Sequence, residues 1–452
     1  MHMLDERIRE FLEEAGPVFY VTPSAARAVG LEGVLPDYHV ICSERCAWGD
    51  LFRKAGAKLS YAGKDLKNSG KILADGGVVD YIRKNSEGKT ANILTFKPSP
   101  MIEIACRNNG WRYLGNDWRL NREWEDKVKF AEIASEMGLK NAHSRIARIG
   151  DGNIEELAGS LDFGGGKKHV VQFSHGYSGN STFIAEDPEA FASILRKNAG
   201  RKAKIADFVE GDAYTFDVCV GDFGILISQP IFQITGFAEF NRNPLGTCGN
   251  DFTFGRKLGE AAGEEMRSGM SKVAGRLRSL GYRGILGFDF VSGADGAHII
   301  EVNPRLVGSI PVLTKLQLSG GEVPFLLLHI LSFLGFDFTG MAVGQPRQDL
   351  DFSQLIMRNT APEARRVEKG MRSGVYRMEG GRAEFVREAY FALPDMREGE
   401  FFLGCAAEGE TADPDMQYAD IQVPYGIMED RNGFGEDFSL IKDCILRSII
   451  LS

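Results

Sequence analysis

The runs Gly284-Ile285-Leu286-Gly287-Phe288-Asp289-Phe290-Val291 and His298-Ile299-Ile300-Glu301-Val302-Asn303-Pro304-Arg305 anchor the reading of this 452-residue sequence. Each is short, alternating and rich in β-favouring residues. Between them, Ser292-Gly293-Ala294-Asp295-Gly296-Ala297 carries glycine on either side of its centre, a hairpin signal. Strand alternation puts Gly287, Asp289 and Val291 on one face, with Ile299, Glu301 and Asn303 on the same face of the return strand. Pairing symmetric about Asp295 sets Asp289 opposite Glu301, with Cβ atoms roughly 5 Å apart, where like charges repel.

A solvated hairpin that tolerates the repulsion is the plain reading of such a pair, and three features argue against it. Phe288, Phe290, Ile300 and Val302 call for packing on at least one face. Asn303 adds a neutral oxygen two residues from Glu301, and Arg305 follows directly after Pro304. Two carboxylates and an amide suit Mg²⁺, which keeps its remaining positions for water and phosphate. An arginine beside them suits a phosphate or carboxylate. The residues therefore predict a Mg-nucleotide site.

Asp289, the spacing of twelve to Glu301, and Glu-Val-Asn-Pro-Arg (301–305) resemble the metal-binding end of the ATP-grasp superfamily. The resemblance implies Asp289, Glu301 and Asn303 as ligands of Mg²⁺, two ions in many members, with Mn²⁺ an admissible substitute. It implies Arg305 as the catalytic cation that stabilises the transferred phosphoryl group.

Upstream, Arg119 to Gly138 reads as one helix, and its Asp126-Lys127 resembles the family's Asp-Lys pair, whose lysine reaches the nucleotide phosphates. The strand His169-Val170-Val171-Gln172-Phe173 leads into Ser174-His175-Gly176-Tyr177-Ser178-Gly179-Asn180-Ser181-Thr182. Backbone N–H groups and hydroxyls of such loops can cover phosphates. By resemblance this is the lid, with Gln172, Gly176, Ser178, Gly179, Ser181 and Thr182 as nucleotide contacts. The family more often has lysine where Gln172 stands, so here the strand brings no charge. Ile205 to Gly211 resembles the linker that pairs with adenine, implicating Asp207, Val209 and Glu210. The family's usual glutamate is replaced by Ala206.

The N-terminal third alternates helices with the strand candidates Pro17–Val21, Tyr38–Cys42 and Ala91–Phe96, which predicts a Rossmann-like parallel sheet without a glycine fingerprint. Gln229 to Phe254, mixing Phe237, Phe240, Asn241, Arg242, Asn250 and Asp251 with glycines, suits either an acceptor-substrate wall or a surface insertion. Gly255 to Gly281 reads as a helix with Met266, Met270, Val273 and Leu277 inward, and Val323 to Phe336 as a buried apolar one. The last hundred residues are short strands broken by glycine. The expected fold class is α/β and α+β: a pre-ATP-grasp α/β domain (1–118), grasp subdomains at 119–204 and 205–343, and a small β-rich C-terminal domain (344–452).

Composition is that of a soluble globular chain, 43% hydrophobic and 25% charged. Lys+Arg 53 against Asp+Glu 62 gives −9, so no global basic field favours nucleic acid or anionic membrane. The acidic N-terminus lacks an apolar signal region, and the longest apolar run is too short to span a bilayer. Seven scattered cysteines show no zinc-site spacing, and free thiols point to the cytoplasm. The function implied is an ATP-dependent ligase joining a carboxylate to an amine or thiol through an acyl phosphate, with ATP and Mg²⁺ as cofactors. Its partners would be small-molecule carboxylate and amine substrates, with no nucleic acid or membrane and room for a homo-oligomer. The alternatives are a bicarbonate-using carboxylase that forms carboxyphosphate and a non-catalytic ATP-binding regulator.

Overall fold

The computed structural model describes residues 5–63, 66–150, 152–174, 181–392 and 396–452. Its N-terminal sheet is five parallel strands, β1 (Val18–Val21), β2 (Tyr38–Cys42), β3 (Lys58–Tyr61), β4 (Asn92–Thr95) and β5 (Arg112–Tyr113), in the order β3-β2-β1-β4-β5. The chain leaves β1 on one side and returns to its other side at β4. Beside the carboxyl ends of these two strands lies the crevice in which open parallel sheets bind ligands.

A small antiparallel sheet follows, built of β6 (Ser144–Arg148), β7 (His169–Phe173), β8 (Thr182–Ala185) and β9 (Lys202–Asp207), in the order β6-β9-β7-β8. One face packs Val171, Phe173, Ala203 and Ile205 against Ile154, Phe191 and Leu195. Alternation therefore turns Gln172 and Lys204 to the other face.

The large sheet has eleven strands. β10 (Gly211–Gly221), β11 (Gly224–Ile227), β12 (Ile231–Ile234), β13 (Gly249–Asp251), β14 (Gly284–Gly293) and β15 (Gly296–Asn303) form its first part. β16 (Ser353–Arg358) then pairs with β13. β17 (Arg365–Lys369) leaves the sheet, while β18 (Gly374–Glu379), β19 (Arg382–Arg387) and β20 (Glu400–Cys405) rejoin it; β21 (Thr411–Ala412) pairs with β17, and β22 (Gln417–Val423) with β16. The full order is β15-β14-β10-β12-β13-β16-β22-β20-β18-β19, with β11 on β10. Of the C-terminal strands, β16, β18, β19, β20 and β22 thus extend the sheet that carries the hairpin, while β17 and β21 pair outside it.

Several local expectations change. The helix expected over 119–138 is two, Trp118–Trp124 and Lys127–Glu136, because the Asp126 carboxylate accepts from the N–H of Val128 and Lys129 and starts a new helix. The 255–281 helix runs from Glu260 to Ser279, after a separate turn at Phe252–Gly255. Its buried stripe is Met266, Met270, Val273, Ala274 and Leu277. The 229–254 segment is no surface insertion: it supplies β12 and β13, and Phe240 is fully buried.

The hairpin pairs Asp289 with Glu301 by a different route from the symmetric one. Gly293 pairs with Gly296, so the turn is one residue tighter, and a bulge after Asp289 restores the offset. Ile299 consequently pairs with Phe290 and sits on the core face with Phe288 and Val302, not beside Glu301. At the hairpin's start, Gly284 has φ +84° and a Cβ there would meet His329 Nδ1 at 2.2 Å. That nitrogen accepts from the Ile285 N–H, while His329 Nε2 donates to the Leu114 carbonyl. Burial holds this imidazole neutral, its pKa down to about 4, which suits a ring that must both accept and donate.

Candidate functional site

β14 and β15 place Asp289, Glu301 and Asn303 on one face, opposite the Phe288–Phe290–Val302 core face. The Asn303 amide nitrogen donates to Asp289 Oδ2 at 3.1 Å and to Glu301 Oε1 at 3.2 Å. Its oxygen accepts from the Arg305 guanidinium at 2.8 Å. For Asn303 to offer oxygen to a metal, this amide must turn over. Gln233, from β12, donates to Asp289 Oδ1 at 2.6 Å.

Lys127 reaches this face because Asp126 ends the preceding helix and makes Lys127 the first residue of the next. The Lys127 N–H also bonds the Ser174 carbonyl at 3.3 Å, tying that helix to the end of β7. The ammonium of Lys127 is buried and pairs with Glu301. Burial opposes the charge on Glu301, but the Lys127 ammonium outweighs it and holds the carboxyl well below its usual range. Burial first, and the Glu301 charge second, push Asp289 upward. Two facing carboxyls therefore divide the work, one ionised against lysine and the other held toward its protonated form.

Arg305 is fixed from three sides: Nε donates to Glu125 Oε1 at 2.9 Å, and the terminal nitrogens donate to Asn303 and to the Leu306 carbonyl. Glu125 also takes Lys97 at 2.5 Å. Burial works against the Glu125 charge, yet Arg305 and Lys97 together keep its pKa low. Lys97 and Phe96 lie just past the end of β4, and the Arg305 guanidinium stands 5.3 Å from the Phe96 ring centroid. A cleft of about 240 Å³ opens here, lined by Lys97, Pro98, Ser99, Trp118, Asn121 and Glu125 among others.

On the small sheet, Gln172 sits between Thr182 of β8 and Lys204 of β9, and donates to Thr182 Oγ1 at 3.4 Å. Ser181 is buried and its hydroxyl has no partner among the described residues. Gly176, Ser178 and Gly179 lie outside the described residues. The linker residues stand apart from the carboxylates. Asp207 ends β9 and faces His169 and His143, at 3.3 and 3.6 Å, while Glu210 pairs with Arg431. Val209 lies against the far end of the hairpin, where a Cβ on Gly293 would meet it at 2.9 Å. Thr215 pairs with Asp289, so the β10 register sets Glu210 roughly 16 Å along the sheet from the carboxylates.

Residues 124–309 match the model of the ATP-grasp domain. The chain carries an ATP-grasp domain. Over 216 residues, 47% of this chain, it is 24% identical to the carbamoyl phosphate synthase arginine-specific large chain of Bacillus subtilis. The chain covers only 20% of that relative. Among solved structures, the biotin carboxylase of Campylobacter jejuni, in a nucleotide complex, superposes with TM-score 0.61 at 14% identity, over 97% of this chain and 92% of that one. The biotin carboxylase domain dimer of Hydrogenobacter thermophilus 2-oxoglutarate carboxylase, with MgADP, ADP and bicarbonate, gives 0.60 at 14%, over 97% and 90%. Phosphoribosylamine–glycine ligase of Thermotoga maritima gives 0.56 at 13%, over 96% and 97%. The ATP-grasp fold with its N-terminal parallel sheet thus extends over nearly the whole chain.

The donor set of this ATP-grasp domain fits a hard cation. Among the described residues no third carboxylate, histidine or cysteine clusters with Asp289 and Glu301. Two carboxylates leave positions for water and phosphate oxygens, as Mg²⁺ requires. The Lys127 ammonium already holds the place of a cation against Glu301. No helix among the described residues is long and apolar enough to cross a membrane, and the seven cysteines are free thiols.

Four participants escaped the sequence reading: Lys97, Glu125, Gln233 and Lys204. Glu125 seemed one more charge on a continuous helix. Gln233 was embedded in a segment with no periodic signal. Lys204 had one available clue, a lysine inside the otherwise apolar alternation Ala203-Lys204-Ile205-Ala206.

Proposed function

We propose that this protein is an ATP-dependent ligase that joins a carboxylate to an amine or thiol and releases ADP and phosphate. The observation that carries the reading is the convergence of Asp289, Glu301 and Asn303 with Lys127 and Arg305 on one face of the hairpin. Phosphoryl transfer needs little beyond alignment and neutralisation of charge, and this group supplies both. A carboxylate oxygen of the acid attacks the γ-phosphorus of ATP, the bond to the β–γ bridging oxygen breaks, and ADP leaves. The amine nitrogen then attacks the acyl carbon, the bond to phosphate oxygen breaks, and the nitrogen gives up a proton.

Mg²⁺, held by Asp289, Glu301 and the turned Asn303, would neutralise charge across the β- and γ-phosphates. With Glu301 turned to a cation, Lys127 would be left to hold phosphate oxygens. Arg305 has five N–H donors, and the bonds to Glu125, Asn303 and Leu306 leave others for the transferred group. Gln172, Ser181, Thr182 and the loop of Gly176, Ser178 and Gly179 would cover the phosphates, and the 207–210 linker would receive adenine and ribose. The cleft beside Lys97 and Glu125, just past the carboxyl end of β4, would admit the acid.

The test is a panel of amino acids, other small carboxylates and bicarbonate, each with and without amines and thiols, read by ADP release. The proposal expects ADP formation to require one acid. ADP that tracks bicarbonate alone would replace it with a carboxylase, and ATP binding without turnover by any acid would leave a regulator.

A further inference from the structure

Lys204 is the buried charge that the account above leaves without work. Its side chain is 3% exposed, and no hydrogen bond or ion pair engages its ammonium among the described residues. The strand register gives it a definite direction. Ala203 and Ile205, its neighbours in β9, face the small domain's core. Lys204 therefore faces the same way as Gln172, directly across in β7, and Thr182, the next residue in the same row. The charges that act on it are Lys127 and Glu301, the ion pair on the hairpin face. The row Thr182–Gln172–Lys204 thus leads from the end of the 174–182 loop to the carboxylates.

An ammonium in such a place is costly. Burial and a second ammonium nearby both work against its charge and bring its pKa down to about 8. Glu301 offsets this only in part, and Lys127 already engages it. A methionine would fill the same volume without the penalty. What compensates a buried lysine beside a lysine is an anion, and apart from Glu301, which Lys127 already holds, the groups around it are donors: an amide at Gln172, a hydroxyl at Thr182 and the ammonium of Lys127.

We propose that Lys204 is a phosphate-binding residue, reaching from β9 to an ATP phosphate and supplying to the Thr182–Gln172–Lys204 row the positive charge that Gln172 cannot. This rests on the ATP-ligase reading of the hairpin site. The charge belongs to the row rather than to one strand, so exchanging the two residues should preserve it. A lysine from β7 and a glutamine from β9 would present the same pair of groups, the ammonium shifted by roughly 5 Å.

The experiment measures Mg-ATP affinity by calorimetry for the wild type, Lys204→Met, Lys204→Arg and the transposed Gln172→Lys/Lys204→Gln variant, beside nucleotide-free thermal unfolding. Lys204→Met should lose about 10- to 100-fold in affinity, the range for a hydrogen bond to a charged group. Its nucleotide-free melting temperature should equal or exceed that of the wild type, because a buried charge has been removed. The arginine and transposed variants should each recover most of the loss. A Lys204→Met protein that folds and binds Mg-ATP like the wild type overturns the proposal, as does a folded transposed variant that binds no tighter than Lys204→Met. Failure of the wild type itself to bind Mg-ATP would instead refute the ligase reading beneath it.

Discussion

Replacing either hairpin carboxylate by its amide should abolish Mg-dependent ATP turnover, but the two substitutions should affect stability in opposite senses. Asp289 is pushed toward its protonated form by burial and by the charge of Glu301. Asp289→Asn therefore substitutes a neutral isostere for a group that is expensive to ionise, and metal-free stability should stay level or rise slightly. Glu301 is the counter-ion of buried Lys127. Glu301→Gln leaves that ammonium unmatched until Asp289 ionises in its place. Breaking one side of a buried pair costs about 3–5 kcal/mol, and partial replacement by Asp289 brings the expectation to the lower end, about 3 kcal/mol. For a cooperative unit of 150–250 residues, that is roughly 6–12 °C in melting temperature. The assay is thermal unfolding in chelator, run beside ADP release with Mg²⁺. Equal shifts for the two variants, or a larger loss for Asp289→Asn, would refute the division of charge described here. Turnover at the wild-type rate in both would make the hairpin a structural element only.

Gln172→Lys should place a second ammonium opposite Lys204 at a cross-strand spacing of roughly 5 Å; we expect a lower melting temperature and no gain in ATP turnover, and a large gain would mark Gln172 as a defect. Asp126→Ala removes the cap that begins the Lys127 helix and should cost about 1 kcal/mol, seen as reduced thermal stability with a raised KM for ATP; an unchanged KM would show that Lys127 does not depend on this cap. Asp217, buried with Ser309 as hydrogen-bond donor, has its pKa raised to about 7 by burial. The native protein then holds a proton that the unfolded chain releases near pH 4. Its contribution is full below that pH and is lost as pH rises toward 7, by roughly 4 kcal/mol at most. Asp217→Asn should flatten that part of the stability–pH curve, and parallel curves for variant and wild type would contradict it.

The facing pair Asp289 and Glu301 was legible because period-two alternation and a glycine-flanked turn need only local information. Ile299 was assigned to the wrong face because a bulge inserts one residue, and no side-chain pattern announces it. The tighter turn and the bulge cancel, which is why the carboxylate pair survived the error. The break at Glu125-Asp126 was hidden for another reason: aspartate is compatible with a helix interior and far better as its cap, and composition alone does not choose. The continuation of the hairpin's sheet through β13 and β16 joins residues about a hundred positions apart, and pairing at that range is set by tertiary packing. Lys204 and Gln233 belong to the same class: each meets its partners only across strands that the sequence does not order.

The reaction type turns on which phosphorus is attacked. Incubation with Mg-ATP, the acid found in the panel and hydroxylamine in place of the amine should yield a hydroxamate together with ADP and phosphate, because an acyl phosphate is open to any strong nucleophile. The same hydroxamate accompanied by AMP and pyrophosphate, with no ADP, would contradict the account at its centre.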